Sequence, residues 1–190
     1  HSLLGVELFK SNRFLWCVEK LLSRKQDGVI AVSKSVWEDY SKQIIYKGPH
    51  YILYNFIPDR FFNHPESLNG KSIYKKCVAI GHFKLAKNYS YLLNNFKMLS
   101  EYDIFLDIYG EGPLEAEMKK FIIDNQLQNV SIKGCCNDIA GVLPNYDVFI
   151  SVSKHEGFGI AMLEAMASRV ACIVSDIPTY REIAGECCFF

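Results

Sequence analysis

The chain has 190 residues, with 21 Lys and Arg against 21 Asp and Glu, and 49% of its residues are hydrophobic and 14% aromatic. This content predicts a globular fold with one sizeable core, or one domain with part of another, and argues against a disordered chain. The balanced charge argues against a nucleic-acid partner, because neutralising phosphates would select a basic excess.

The seven cysteines show no Cys-x-x-Cys spacing of the kind that binds zinc or forms a redox dithiol. We therefore expect reduced, mostly buried thiols in a cytosolic protein. The chain starts at His1 and ends in an apolar run, residues 187–190, that resembles a strand stopped midway, so we expect a fragment cut at both ends. Charged residues interrupt the apolar stretch 3–22 too often for a membrane span, and an amphipathic helix, which can also lie on a membrane surface, is predicted there.

The first third of the chain predicts strands at residues 29–32 and 51–54, with a helix around 36–44 between them. After Pro58 comes a segment rich in Asn, Pro, Ser and Gly, which is typical of a linker. We therefore predict that residues 1–60 are the tail of a preceding α/β domain, that 61–72 form a linker, and that 73–190 form a second domain.

From Cys77 onward, short apolar runs rich in β-branched residues alternate with segments of helical period. This alternation predicts an α/β fold with a doubly wound parallel sheet and crossover helices. One helix should begin after Gly112 and Pro113, with Glu115 and Lys119 paired on its exposed side. The predicted strands are residues 77–80, 104–109, 130–133, 148–152, 171–175 and the last residues of the chain.

The strongest candidate site is the loop 154–159, between a predicted strand and the helix 160–167. In an open parallel sheet, ligands bind beyond the carboxyl ends of strands. Gly157 and Gly159 permit close backbone approach, and the amides of the first helical turn favour an anion such as a diphosphate.

Two acidic residues lie in and after this loop, Glu156 and Glu164. Both would repel a phosphate, so we expect them to accept hydrogen bonds from neutral diols, one on a ribose and one on a sugar. The alternatives are a flexible loop acid for Glu156 and a solvated helix residue for Glu164. Because Glu164 has apolar neighbours on both sides, its charge requires a partner.

Two further loops follow predicted strands. In the loop 81–87, Lys87, and after it His82, are candidate cations beside a departing diphosphate, although loop cations are commonly just solvated. In the loop 110–113, Gly110 and Glu111 could contact ligand, or the glycines could serve the turn alone.

Taken together, these segments resemble the retaining glycosyltransferases of the GT-B fold, the large family four. EGFGIAMLEAMA resembles the family's Glu-x7-Glu motif, GHFKLAKN its Gly-Arg-x-x-x-x-Lys-Gly segment, and IYGEGPLEAEMKK its Gly-x-Gly-Pro turn and helix. SDIPTYREIAGE resembles the strand, turn and helix that follow, while VIAVSKSVWEDY and YILYNFIP resemble the last elements of the family's first domain.

The resemblance implies a two-domain enzyme whose second domain, here 73–190, binds a nucleotide-sugar donor. By position, Glu156 would contact the transferred sugar, Glu164 the ribose and Lys87 the diphosphate, with His82 beside it. The remaining substrate-binding candidates are Gly157, Phe158, Gly159 and Ile160 for the phosphates, Asn137 near the base, and Gly110 and Glu111.

The sequence departs from the family pattern at four positions. His82 replaces an Arg and is a weaker, pH-dependent cation. Asn88 and Arg169 replace glycines, and Ala171 replaces a proline that is common in the family.

From these features we predict a cytosolic retaining hexosyltransferase that needs no metal or other cofactor and has a role in surface polysaccharide synthesis. The donor would be a UDP- or GDP-sugar and the acceptor a saccharide or a lipid-linked molecule, and a lipid-linked acceptor would place the enzyme at the inner face of the membrane. The fragment alone is expected to be inactive. A non-catalytic sugar-nucleotide-binding protein is the main alternative. An NAD-dependent dehydrogenase is disfavoured because no Gly-x-Gly-x-x-Gly run is present.

Overall fold

A computed structural model describes residues 13–62 and 75–190 of the chain. By their internal contacts these residues form two units. The first unit contains residues 13–56, 155–159 and 177–185, and the second contains 57–62, 75–154, 160–176 and 186–190. The elements are α1 (Arg13–Leu22), β1 (Val29–Ala31), α2 (Lys34–Gln43), β2 (His50–Ile52), β3 (Lys75–Ile80), α3 (Tyr89–Met98), β4 (Ile104–Tyr109), α4 (Glu115–Asp124), β5 (Val130–Gly134), α5 (Ile139–Val142), β6 (Val148–Ser151), α6 (Ile160–Ala167), β7 (Ala171–Val174) and α7 (Pro178–Ala184).

In the first unit, β1 and β2 pair in parallel, with Ile30 opposite Tyr51. Helix α2 begins two residues before its predicted start because Ser33 caps it. The Ser33 hydroxyl oxygen accepts a hydrogen bond from the Val36 amide at 3.1 Å, which satisfies one of the free donors of the first turn. The predicted helix over 3–22 is described from Arg13 onward, and its earlier part lies outside the described residues.

The second unit contains a five-stranded sheet in the order β5-β4-β3-β6-β7, with every pair parallel. This confirms the predicted doubly wound parallel sheet. The predicted strands agree with the observed ones to within two residues, and β4 and α6 have the predicted bounds. The last residues are shorter than predicted as a strand, since only Phe189 forms an isolated bridge, to Ile173.

One hydrophobic cluster of the second unit lies between the sheet and the helices α3 and α4. Leu106 and Ile108 of β4 are fully buried against Leu93, Phe96 and Met118. On the exposed side of α4, the Lys119 ammonium lies 2.7 Å from the Glu115 carboxylate, which confirms the predicted pair.

The order of the strands places the reversal of the sheet between β3 and β6. In folds of this kind, ligands bind in the crevice beyond the carboxyl ends of the strands at this point. Among the described residues, no helix is long and apolar enough to cross a membrane. The predicted linker 61–72 lies almost wholly outside the described residues, apart from Phe61 and Phe62.

Candidate functional site

The loops that follow β3 and β4 are hydrogen-bonded to each other. The Phe83 amide donates to the Glu111 carbonyl at 2.8 Å, and the Leu114 amide donates to the Phe83 carbonyl at 3.1 Å. Gly110 (φ +141°) lies so close to Gly81 that a Cβ would collide with its carbonyl oxygen. These contacts leave no room for a side chain at Gly110, so the position requires glycine.

Lys87 ends a 3-10 turn, Leu85–Lys87, in the loop after β3. Its half-buried side chain lies against Gly81, with Nζ 3.1 Å from the position that a Cβ on Gly81 would take. The Tyr89 hydroxyl donates to the Gly81 carbonyl at 3.2 Å. The Lys87 ammonium group therefore lies at the carboxyl end of β3, beside the reversal of the sheet.

The loop after β6 is joined to the same region. The Lys154 amide donates to the Ala86 carbonyl at 2.8 Å. Since Ala86 immediately precedes Lys87, the backbone at the ends of β3 and β6 is held together around the Lys87 turn.

Residues 155–159 belong to the first unit, where hydroxyl groups hold their backbone. The Ser33 hydroxyl donates to the Gly157 carbonyl at 2.9 Å, and the Thr179 hydroxyl donates to the Glu156 carbonyl at 2.8 Å. The Tyr180 hydroxyl lies 3.3 Å from Glu156 Oε1, to which it donates. Gly157, Phe158 and Gly159 are buried. Glu156 is thus part of an ordered, hydrogen-bonded loop.

Glu164 lies in the second turn of α6 and is half-buried. Burial raises the pKa of its carboxyl, and the positive charge of Arg60 only partly opposes that rise. Arg60 comes from the 3-10 turn Asp59–Phe61 and lies over the Phe61 ring, 5.5 Å from its centroid. The sequence indicated that Glu164 needs a partner, but no motif pointed to Arg60, so its position was missed.

Two departures from the family pattern have a backbone explanation. Asn88 has φ 56° and Arg169 has φ 59°, so both take the left-handed conformation. Glycine adopts this conformation without strain, and asparagine tolerates it better than most residues. Arg169 occupies the left-handed position of a Schellman motif after α6, with the Val170 amide donating to the Ala165 carbonyl at 3.0 Å.

Of the other predicted site residues, His82, Glu111 and Asn137 are exposed on loops of the second unit. A hydrogen bond to the Glu111 carboxylate raises the pKa of the Cys135 thiol, which places these two loop ends side by side. Ile160, the first residue of α6, is 46% exposed. Within the second unit the structure brings Lys87, Gly81 and Gly110 together. No group of three or more potential metal-ligating side chains is found among the described residues.

A five-stranded parallel sheet of this order, with the glycine loop before α6, has the architecture of GT-B glycosyltransferases. The model of the family "Glycosyl transferases group 1" matches residues 61–186, more than half of the chain. The chain therefore belongs to this family.

Among curated relatives, the putative glycosyltransferase EpsF of Bacillus subtilis is 34% identical over 114 residues, which cover 57% of this chain and 30% of EpsF. Among solved structures, a variant of S. aureus TarM in complex with fondaparinux, alpha-GlcNAc-glycerol and UDP has a TM-score of 0.71 at 25% identity, covering 84% of this chain and 32% of TarM. Anabaena HepE in complex with UDP has a TM-score of 0.77 at 17% identity, covering 96% of this chain and 53% of HepE. The chain thus spans about a third to a half of the length of these proteins.

Proposed function

We propose that this chain supplies the donor-binding part of a retaining glycosyltransferase that transfers a hexose from a UDP- or GDP-sugar to a saccharide or lipid-linked acceptor. In this step the bond between the anomeric carbon and the phosphate oxygen breaks. The nucleoside diphosphate leaves with the electron pair, the oxygen of the acceptor hydroxyl bonds to the same face of that carbon, and the hydroxyl proton passes to the departing diphosphate. Family membership and the UDP complexes of TarM and HepE support a nucleotide-sugar donor.

The observation that carries the proposal is the environment of Glu164. A carboxylate whose pKa is raised by burial gains most from hydrogen bonds that stabilise its charged form. The two hydroxyls of a ribose offer such a pair of donors without adding charge. Glu164 is therefore assigned to the ribose of the donor.

Lys87 is assigned to the diphosphate. Its ammonium at the carboxyl end of β3 can stabilise the negative charge that develops on the leaving group. His82, exposed in the same loop, would add a second and pH-dependent cation.

The remaining roles follow the order of the loops. We assign Glu156 to the transferred sugar and the amides of Gly157, Phe158, Gly159 and Ile160 to the phosphates. Gly110, Glu111 and Asn137 are assigned to the nucleoside. The proposed enzyme uses no metal and acts in the cytoplasm, at the inner face of the membrane where the acceptor is lipid-linked. Surface polysaccharide synthesis is its proposed setting. Because this chain covers only 30% of EpsF and 53% of HepE, we propose that the chain alone does not catalyse transfer.

The test is the thermal shift of this chain with UDP, GDP and ADP, for wild type and Glu164→Ala. A nucleotide at 100 times its dissociation constant should stabilise the folded state by about 2.7 kcal/mol. We expect one nucleotide to raise the melting temperature of wild type and not of Glu164→Ala. Glu117→Ala, which removes an exposed acid on α4, is the matched control and should respond like wild type. An equal shift in Glu164→Ala would contradict the ribose assignment.

A non-catalytic sugar-nucleotide-binding protein is the second candidate, favoured by the exposed His82 in place of an arginine. Incubation of the full-length protein with a radiolabelled donor separates the two. Binding without transfer or donor hydrolysis would favour the second candidate, and a glycosylated product with the inverted configuration would contradict retention.

A further inference from the structure

Tyr180 connects helix α7 to the side chain of Glu156 within the first unit. The tyrosine is 2% exposed, and its hydroxyl donates to Glu156 Oε1 at 3.3 Å. Its ring packs on Gly159, since a Cβ at Gly159 would lie 2.5 Å from Tyr180 Cε1. The ring is therefore enclosed on the side of the loop, and its hydroxyl is directed at one carboxylate oxygen.

Helix α7 is itself fixed by a second carboxylate. Glu182 accepts hydrogen bonds from the amides of Lys34 and Ser35 at 2.7 and 2.8 Å. It also accepts from the Tyr54 hydroxyl at 2.9 Å. A helix of seven residues has little stability of its own, so these contacts hold the position of Tyr180.

We propose that Tyr180 is a positioning residue for sugar transfer, acting through Glu156. The inference rests on the proposed function, in which Glu156 contacts the transferred sugar. The Tyr180 hydroxyl selects one orientation of the carboxylate, and the Thr179 hydroxyl fixes the backbone from which that side chain projects.

Loss of the Tyr180 hydroxyl should lower kcat for transfer and leave the affinity for the nucleotide unchanged. At 3.3 Å the hydrogen bond from Tyr180 to Glu156 is longer than most charge-assisted ones, so loss of the Tyr180 hydroxyl should lower kcat by about threefold to tenfold. A nucleoside diphosphate lacks the transferred sugar that Glu156 is proposed to contact, so its Kd should not change.

The experiment is a double-mutant cycle in the full-length protein. We would measure kcat for transfer, the KM for the donor, the Kd for the free nucleoside diphosphate and the melting temperature. The variants are Tyr180→Phe, Glu156→Gln and their combination. Tyr46→Phe is the control, because it removes another tyrosine hydroxyl of the first unit, one that bonds the Gln26 and Pro49 carbonyls.

We expect Tyr180→Phe to lower kcat in the wild-type background and to have no further effect when Glu156→Gln is present. Tyr46→Phe should have the kcat of wild type. If Tyr180→Phe leaves kcat unchanged, or lowers it by the same factor in both backgrounds, the positioning role is wrong while the proposed function stands. If Glu156→Gln alone has the kcat of wild type, the role of Glu156 and this inference fail together.

A second replacement at the same position tests the inference if Tyr180→Phe folds poorly. With 4-fluorophenylalanine introduced at Tyr180, the fluorine occupies the space of the hydroxyl and cannot donate a hydrogen bond. The same loss of kcat, with an unchanged melting temperature, is expected, and a kcat equal to that of wild type would overturn the inference.

Discussion

Glu182 and Ser35 are joined by two hydrogen bonds, because the carboxylate accepts both the amide proton of Ser35, at 2.8 Å, and its hydroxyl proton, at 2.6 Å. The carboxylate therefore caps the N-terminus of α2 from a residue far away in the sequence. Burial would raise the pKa of the Glu182 carboxyl, but its hydrogen bonds to Ser35, Lys34 and Tyr54 outweigh burial and lower it.

Replacing Glu182 by Gln should destabilise the first unit by about 1 kcal/mol at pH 7, the usual cost of a lost helix cap. Because the folded-state pKa is lowered, this advantage of wild type should be constant above the ordinary pKa of about 4.3 and should shrink as the pH falls through the lowered value. The difference in the free energy of unfolding between wild type and Glu182→Gln can be measured by urea denaturation, followed by Trp37 fluorescence in a Trp16→Phe background. An advantage that grows toward low pH would contradict the pKa direction.

Alanine substitutions at Gly159 and Gly185 can distinguish a steric clash of the new Cβ from backbone strain. Both have positive φ, 88° and 57°, but a Cβ at Gly159 would strike the Tyr180 ring, whereas nothing lies within 4 Å of one at Gly185. At Gly185, φ 57° with ψ −121° lies outside the regions that L-residues normally adopt, so Gly185→Ala should cost about 1–3 kcal/mol from backbone strain alone. Gly159→Ala should cost clearly more, because its Cβ would also meet the Tyr180 ring. The melting temperatures of the two variants measure the two losses of stability. Equal losses would mean that the Tyr180 ring moves aside at no cost.

Arg169→Gly should stabilise the chain. The left-handed conformation costs an L-residue about 1–2 kcal/mol, and replacement by glycine removes this cost. Glycine also increases the entropy of the unfolded chain, which lowers the stability by about 0.5–1 kcal/mol. We therefore expect a net gain of about 0.5–1 kcal/mol, read from thermal denaturation. Arg169→Ala is the control, since it removes the side chain and keeps the Cβ. A similar gain in that variant would mean that the arginine side chain, and not the backbone, is the source of the strain.

The prediction of mostly buried thiols is wrong, because only Cys77 and Cys172 are buried and Cys135 is exposed. Cys135 should nevertheless react slowly with iodoacetamide. Only the thiolate reacts, and the nearby Glu111 carboxylate raises the pKa of the Cys135 thiol. Glu111→Gln should therefore speed alkylation of Cys135 near pH 8, as followed by mass spectrometry of peptides. Exposed Cys187 serves as the internal reference, and its rate should not change. Buried Cys172, whose pKa is raised to about 12, should stay unmodified.

Donor binding should depend on pH through Glu164. Burial raises the pKa of this carboxyl, so the charged form that accepts hydrogen bonds from a diol is lost at a higher pH than usual. The affinity for the preferred nucleotide should fall as the pH drops toward that raised pKa, and Glu164→Gln should remove this part of the dependence. Isothermal titration at several pH values tests this. If the affinity changes with pH by the same amount in wild type and Glu164→Gln, Glu164 is not the origin of the pH dependence.

The parts of the fold that sequence reasoning predicted are those set by local pattern. Composition and hydrophobic period predict the strand 104–109 and the helix 160–167, and the predicted bounds agree with the observed ones. The contacts that order Glu156 are different, because Tyr180 and Thr179 lie more than twenty residues away and resemble ordinary helix residues. Arg60 near Glu164 was missed for the same reason, since long-range pairing leaves no spacing to detect.

The hydrogen bonds between the loops after β3 and β4 restrict how this protein could have diverged. Phe83 is bonded through both its amide and its carbonyl, and Gly110 lies directly on the Gly81 carbonyl. A residue inserted into one loop would shift every bond of this pairing, so a compensating change in the other loop would be needed at the same time. We expect related sequences to vary in length in the loop after β5, where a Cβ on Gly134 would meet nothing within 4 Å, and to conserve the lengths of these two loops.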